Sequence, residues 1–303
     1  MKNMKLMLLL FFPALFFSQK MRVFILAGQS NMNGFGYNKD LPNDLKNYKD
    51  VYIFQGNSVA DGEVNGGTGK WEVLKPGHGT GFKTDGTTNT LSDRFGLELS
   101  FAKRMKELFP KDKILLIKYA REGTSIDSLA AADFGCWDAD FQGKNGINQY
   151  DHFLKTLKNA LAETDIDGNG KKDELVPSGI LWMQGEGDAS YTEEIANHYY
   201  GHLKVLMNQM RAALLTDDLP VVIGKISDSG KNEAGKVWPR GELVQYAQEK
   251  FASDDKNAAI VRSTKKYNYG NDPWHYDSAG YIDLGENFAN EVFRLIINFE
   301  NKP

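Results

Sequence analysis

The stretch VFILAGQSNMNGFG, residues 23–36, decides how the rest of the chain is read. The apolar run Val23–Ala27 stops at Gly28, and Gln29, Ser30 and Asn31 follow at once. A short continuous apolar run bounded by a turn signal is consistent with a strand buried on both faces. Sites of open α/β sheets lie just beyond the carboxyl ends of such strands. A serine displayed there has two readings: the cap of a helix, or a nucleophile facing a cleft.

Working outward, further strand-like runs lie at 51–54, 114–119, 179–183 and 221–226, with a weaker sixth at 258–262. Between them, 96–109, 150–163, 192–215, 241–252 and 280–296 repeat apolar residues with helical periodicity. Strands alternating with helices predict a parallel sheet covered on both faces, an α/β fold in one domain over 19–303. Residues 56–93, rich in Gly and Thr and without periodicity, read as an ordered surface loop, with Trp71 and His78 at the rim of a site.

The 303 residues are 41% hydrophobic and 25% charged, ordinary for a globular protein. The formal net charge of −4 gives no sign of a nucleic-acid partner. Lys2 and Lys5 precede a short apolar stretch from Leu6 to Phe17, so residues 1–18 read as a signal peptide and the protein as exported, periplasmic or extracellular. No later segment is long and apolar enough for a transmembrane helix. The single cysteine, Cys136, allows no intramolecular disulfide and reads as a packed core residue.

The carboxyl-end rule collects a specific chemistry. Ser30 follows the first strand, Gly123 sits in AREGTSID after the third, and Gln184 in MQGEGDA after the fourth. Asp272 and His275 lie three apart in NDPWHYDSAGYIDLG, ahead of the last helix. A serine hydroxyl needs a base before it attacks. Histidine suits that role, and a carboxylate fixes its tautomer. The oxyanion formed on attack needs donors, which the Ser30 and Gly123 N–H groups and the Gln184 amide could supply.

GQSNM, REGTS, WMQGEGDA and DPWHYDSAGYIDLG, in that order from residue 22 to about 285, resemble the sequence blocks of the SGNH (GDSL-like) hydrolases. Within them the chain is most similar to the sialate O-acetylesterase-like and carbohydrate esterase family 6 acetylxylan esterase branch. The resemblance implies a three-layer α/β/α sandwich with a flavodoxin-like parallel sheet of about five strands. It implies Ser30 as nucleophile, His275 as base and Asp272 as its orienter, with Ser30 N–H, Gly123 N–H and Gln184 as oxyanion hole. Glu186 and Asp188 read as network residues. The implied substrate is an acetylated carbohydrate, acetylxylan or O-acetylated sialic acid, with no catalytic cofactor. Trp71, Trp137 and Trp274 could stack on sugar rings. A non-catalytic carbohydrate-binding protein and a lipid or thioester hydrolase are the alternatives.

Two further groupings invite metals. DIDGNGKKDE places Asp165, Asp167, Asn169 and Asp173 around a Gly turn, in a spacing that suits a structural Ca²⁺. A shifted register over Glu163, Asp165, Asp167, Gly168 and Glu174 also fits, and two lysines interrupt both. Glu194, His198 and His202 fall on one helix face, but without H-E-x-x-H the expectation there is boundary packing rather than zinc.

Overall fold

The structure, a computed structural model, describes residues 20–300, so the expected signal peptide at 1–18 lies outside the described residues. Seven strands form the main sheet: β1 (Met21–Gly28), β2 (Val51–Gln55), β3 (Trp71–Val73), β4 (Lys113–Ala120), β5 (Leu175–Met183), β6 (Val221–Gly224) and β7 (Ala258–Val261). Their order is β7-β6-β5-β1-β4-β2-β3. All neighbours run parallel except the edge pair β2 and β3. The expectation of about five strands is therefore corrected to seven. The weaker run at 258–262 is a strand, and the antiparallel edge β3 lies inside the segment read as loop. Three residues with no alternation carry too little pattern to be seen.

Five long helices cover the sheet: α1 (Glu98–Leu108), α2 (Gln149–Ala162), α3 (Glu193–Ala213), α4 (Gly241–Asp254) and α5 (Ser278–Glu300). α1 packs on α5, and α3 on α4, while α2 lies against β4 and β2. Local chemistry starts two of them. Asn148 and Asp151 form a capping box at α2, and Thr192 accepts from the Ile195 N–H at α3. Every residue of β1 is buried, as a central parallel strand requires. Each large apolar side chain buried there contributes about 1.5–3 kcal/mol.

The chain reverses its direction across the sheet at β1, which lies between β4 and β5. That topological switch point opens a crevice beyond the carboxyl end of β1. The crevice depends on Gly28, whose φ is +147° and where a Cβ would sit 2.0 Å from the Met183 carbonyl oxygen. Alanine at 28 would push β1 and β5 apart at the place where the site begins.

Candidate active site

Ser30 opens a single helical turn, Ser30–Asn33, directly after β1. A buried lysine holds that turn. Lys118, on β4, donates to the Asn33 carbonyl (2.8 Å), the His78 carbonyl (2.7 Å) and the Glu98 carboxylate (2.8 Å). One ammonium thereby ties the serine turn to the sheet, to the 78 loop and to α1. His78 is fully buried against Gln55, with Nδ1 2.9 Å from Oε1, so it belongs to the core and not to the rim where it was expected.

Asp272 and His275 approach from the loop before α5. Asp272 Oδ1 accepts from the Trp274 N–H (2.8 Å) and the His275 N–H (2.9 Å). Its Oδ2 lies 2.8 Å from His275 Nδ1. A carboxylate only accepts, so Nδ1 carries the proton and Nε2 is left as the acceptor. Partial burial pushes the Asp272 pKa up, but the hydrogen bond from His275 and the backbone N–H groups outweigh it, and the group lies below its ordinary value. The His275 ring stacks on Phe35, with centroids 3.5 Å apart and planes within 3°. Asn31 joins this loop to the serine turn. Its Nδ2 donates to the Trp274 carbonyl (3.2 Å) and to Glu186 Oε1 (2.8 Å), while Oδ1 accepts from Tyr281 (2.8 Å).

Ser30 and His275 line one cavity of about 370 Å³, together with Gln29, Glu122, Gly123 and Gly187. Ser190, Phe134, Tyr191, Trp238 and Trp274 complete its lining. The structure thus brings together Ser30, Gly123 and the Asp272–His275 pair. Gly123 occupies a turn at φ +74° that favours glycine, against the Phe134 ring.

Gln184 is not among the residues that meet there. It is fully buried, and its two amide N–H bonds go to the Thr124 carbonyl (3.0 Å) and Asp188 Oδ2 (2.7 Å). Its Oε1 accepts from the Tyr199 hydroxyl. Gln184, expected as an oxyanion donor, has both donors engaged by Thr124 and Asp188 and does not line the cavity. The glutamine that does line the cavity is Gln29. Its Oε1 accepts from the Gly185 and Gly187 N–H groups, both at 3.2 Å, which fixes the amide plane beside Ser30.

Glu186 and Asp188, read from the sequence as network residues, are both buried and hydrogen-bonded to Asn31 and to Gln184 respectively. Burial pushes Glu186 up to about 7 against its Asn31 hydrogen bond, and Oε2 has no partner among the described residues. Burial also pushes Asp188 up to about 6, against N–H donors from Ile126, Asp127 and Gln184.

Of the tryptophans expected to meet sugar, Trp274 lines the cavity and is 48% exposed. Trp137 is fully buried and donates to Thr124, and Trp71, on the edge strand, donates to the Ala160 carbonyl of α2; neither lines the cavity. Phe134, Tyr191 and Trp238 escaped notice because they sit on separate loops without a periodic pattern. Asp165, Asp167 and Asp173 do converge, with one oxygen of each within 4.8 Å of the others. Asn169 turns its side chain to Asp167 and to the Lys171 N–H, and Lys113 pairs with Asp167.

Ser30 and the histidine of a carboxylate–histidine pair thus share one cavity at the switch point of an α/β/α sandwich, the fold of SGNH-like esterases. The model of the carbohydrate esterase, sialic acid-specific acetylesterase family matches residues 20–294, and the chain belongs to that family of carbohydrate acetylesterases. Among solved structures, a protein from Arabidopsis thaliana is 20% identical, covering 91% of this chain and 98% of its own, with a TM-score of 0.63. A carbohydrate acetylesterase from Xanthomonas citri is 16% identical at a TM-score of 0.62, covering 91% of this chain. The match spans only 57% of the Xanthomonas chain. Both likenesses are of fold. No curated protein sequence matches the chain.

Proposed function

We propose that this chain hydrolyses acetyl esters of a neutral carbohydrate through an acyl-enzyme on Ser30. The observation that carries the reading is the Asp272–His275 pair, closed at 2.8 Å, whose histidine lines one cavity with Ser30. His275 Nε2 takes the serine proton as Oγ attacks the acetyl carbonyl. The imidazolium that forms is stabilised by Asp272, then returns the proton to the departing sugar oxygen. Water, activated by the same histidine, attacks the acetyl-serine and releases acetate. The Ser30 and Gly123 N–H groups and the Gln29 amide are the donors available to the tetrahedral oxyanion.

The lining supports a neutral sugar. It holds one carboxylate, Glu122, and neither lysine nor arginine. Glu122 is fastened by Asn33 (2.6 Å) and Thr80 (2.9 Å). A sialic acid brings its own carboxylate, which Glu122 would repel, while the four aromatic rings suit the faces of a pyranose. Acetate release from acetylated xylan should exceed that from O-acetylated sialic acid, and Glu122→Gln should narrow the gap. Faster release from the sialic acid by the unaltered enzyme would overturn the neutral-sugar reading and leave the esterase reading intact.

Export belongs to the proposal on the strength of the Lys2/Lys5 and 6–17 pattern, and a mature chain beginning near residue 19 would test it. The convergence of Asp165, Asp167 and Asp173 supports a structural Ca²⁺, remote from the catalytic pair. Chelation should then lower the melting temperature, and Asp167→Ala should abolish that sensitivity. Identical melting with calcium and with chelator would leave the loop as polar surface.

A further inference from the structure

We infer that Asp127, His198 and His202 form a binding site for a divalent transition-metal ion of the Zn²⁺, Co²⁺ or Ni²⁺ class. The two histidines stand one turn apart on α3, with ring centroids 5.6 Å apart. The residue that completes the group is not Glu194 of the same helix but Asp127, about seventy positions earlier, on the loop after β4. Asp127 Oδ2 lies 3.1 Å from His198 Nδ1 and 3.7 Å from His202 Nδ1. One ligand atom from each residue falls within 4.8 Å of the others.

Those separations fit an ion. Tetrahedral zinc binds imidazole nitrogen and carboxylate oxygen at about 2.0–2.1 Å, which puts neighbouring ligand atoms about 3.4 Å apart. The two measured edges bracket that value. The donor set also selects the metal, since two imidazoles and one carboxylate favour a borderline cation over Ca²⁺ or Mg²⁺.

Without an ion the arrangement is incomplete. Asp127 is 2% exposed, and its Oδ1 is committed to the Leu129 N–H (2.8 Å). Oδ2 faces the two rings and is in hydrogen-bond contact with one of them, His198 Nδ1. His202 Nδ1 is buried and has no hydrogen-bond partner among the described residues. Buried polar atoms are rarely left so, and a cation at the centre would satisfy all three donors at once. The histidine side chains keep 46% and 37% of their surface in solvent, so an ion has a way in and a water can take the fourth position. The group does not touch the reacting atoms. It reaches them through the Asp127 and Ile126 N–H groups, which Asp188 holds, and so through the loop that presents Gly123.

The test uses the whole protein, stripped with chelator and titrated with Co²⁺ and then Zn²⁺. One equivalent should bind at micromolar concentration or below, with the strong visible absorption of tetrahedral Co²⁺ and a rise in melting temperature. Losing even an outer-shell partner commonly costs 10–100-fold in metal affinity, so His198→Ala and His202→Ala should each weaken binding by at least about tenfold. Glu194→Gln should leave it unchanged. Both histidines are partly exposed, and circular dichroism will show that the variants remain folded. Absence of saturable binding, or binding that survives in the double variant His198→Ala/His202→Ala, would overturn the assignment.

Discussion

Asn31 holds two regions that treat their carboxylates in opposite ways. On one side lies the loop of Asp272 and His275, on the other the buried turn of Glu186 and Asp188. Asp272 has three N–H donors and a partly open position, and its pKa is held down. Among the described residues Glu186 has one side-chain donor and one oxygen without a partner, and burial pushes it up to about 7. A carboxylate that must stabilise a transient imidazolium has to stay ionised. One that braces the floor of a cavity does not. Environment, and not residue type, separates the chemical role from the structural one.

The largest break in that contrast comes from Asp272. Asp272→Asn keeps the side chain's shape but removes the charge facing His275, and kcat should fall by on the order of 10⁴-fold with folding intact. Near-native turnover in the folded variant would return Asp272 to the structural side.

The two glutamines sharpen the comparison next. Gln29 lines the cavity, whereas Gln184 spends both N–H bonds below it. Gln29→Ala should lower kcat by about 10²- to 10³-fold with little change in KM, because an oxyanion donor acts only near the transition state. Gln184→Ala should act mainly on stability, by taking a donor from Asp188 and from the Thr124 carbonyl. A kcat defect at Gln184 with unchanged melting would reverse the two roles.

Glu186 carries the smallest effect, and it depends on pH. Below its ordinary value of 4.5 the group is protonated in both folded and unfolded chains. From there to about 7 only the unfolded chain gives up the proton, so the fold loses stability as pH rises across that window. The full loss is on the order of 3 kcal/mol. Glu186→Gln should remove it, raising the melting temperature at pH 8 more than at pH 5. An equal shift at both pH values would mean that the group does not titrate between them.

Much of this was legible in the sequence because the signals are local. The β1 run ending in Gly28-Gln29-Ser30 announces a strand that presents a serine, and the 3.6-residue repeats announce the helices. The Asp272–His275 spacing survives folding because a tight turn sets it, with Asp272 accepting the N–H groups of residues 274 and 275. What was not legible depended on direction or on distance. Gln184 ends a strand as expected, but nothing local says that its amide turns down to Thr124 and Asp188. Gln29 was in view throughout, and only the Gly185 and Gly187 donors reveal why its amide is fixed. Asp127 meets His198 and His202 through the packing of α3 against the loop after β4, a contact that no pattern within α3 encodes.

The central claim is that Ser30 carries the acyl group. It is tested most directly by intact-protein and peptide mass spectrometry on enzyme quenched during turnover of p-nitrophenyl acetate. The account predicts one acetyl group on the peptide that contains Ser30, a matching burst of p-nitrophenol, and loss of both in Ser30→Ala, whose turnover should fall by about 10⁶-fold. A folded Ser30→Ala protein that still accumulates an acetyl adduct, or turns over near the native rate, would contradict it.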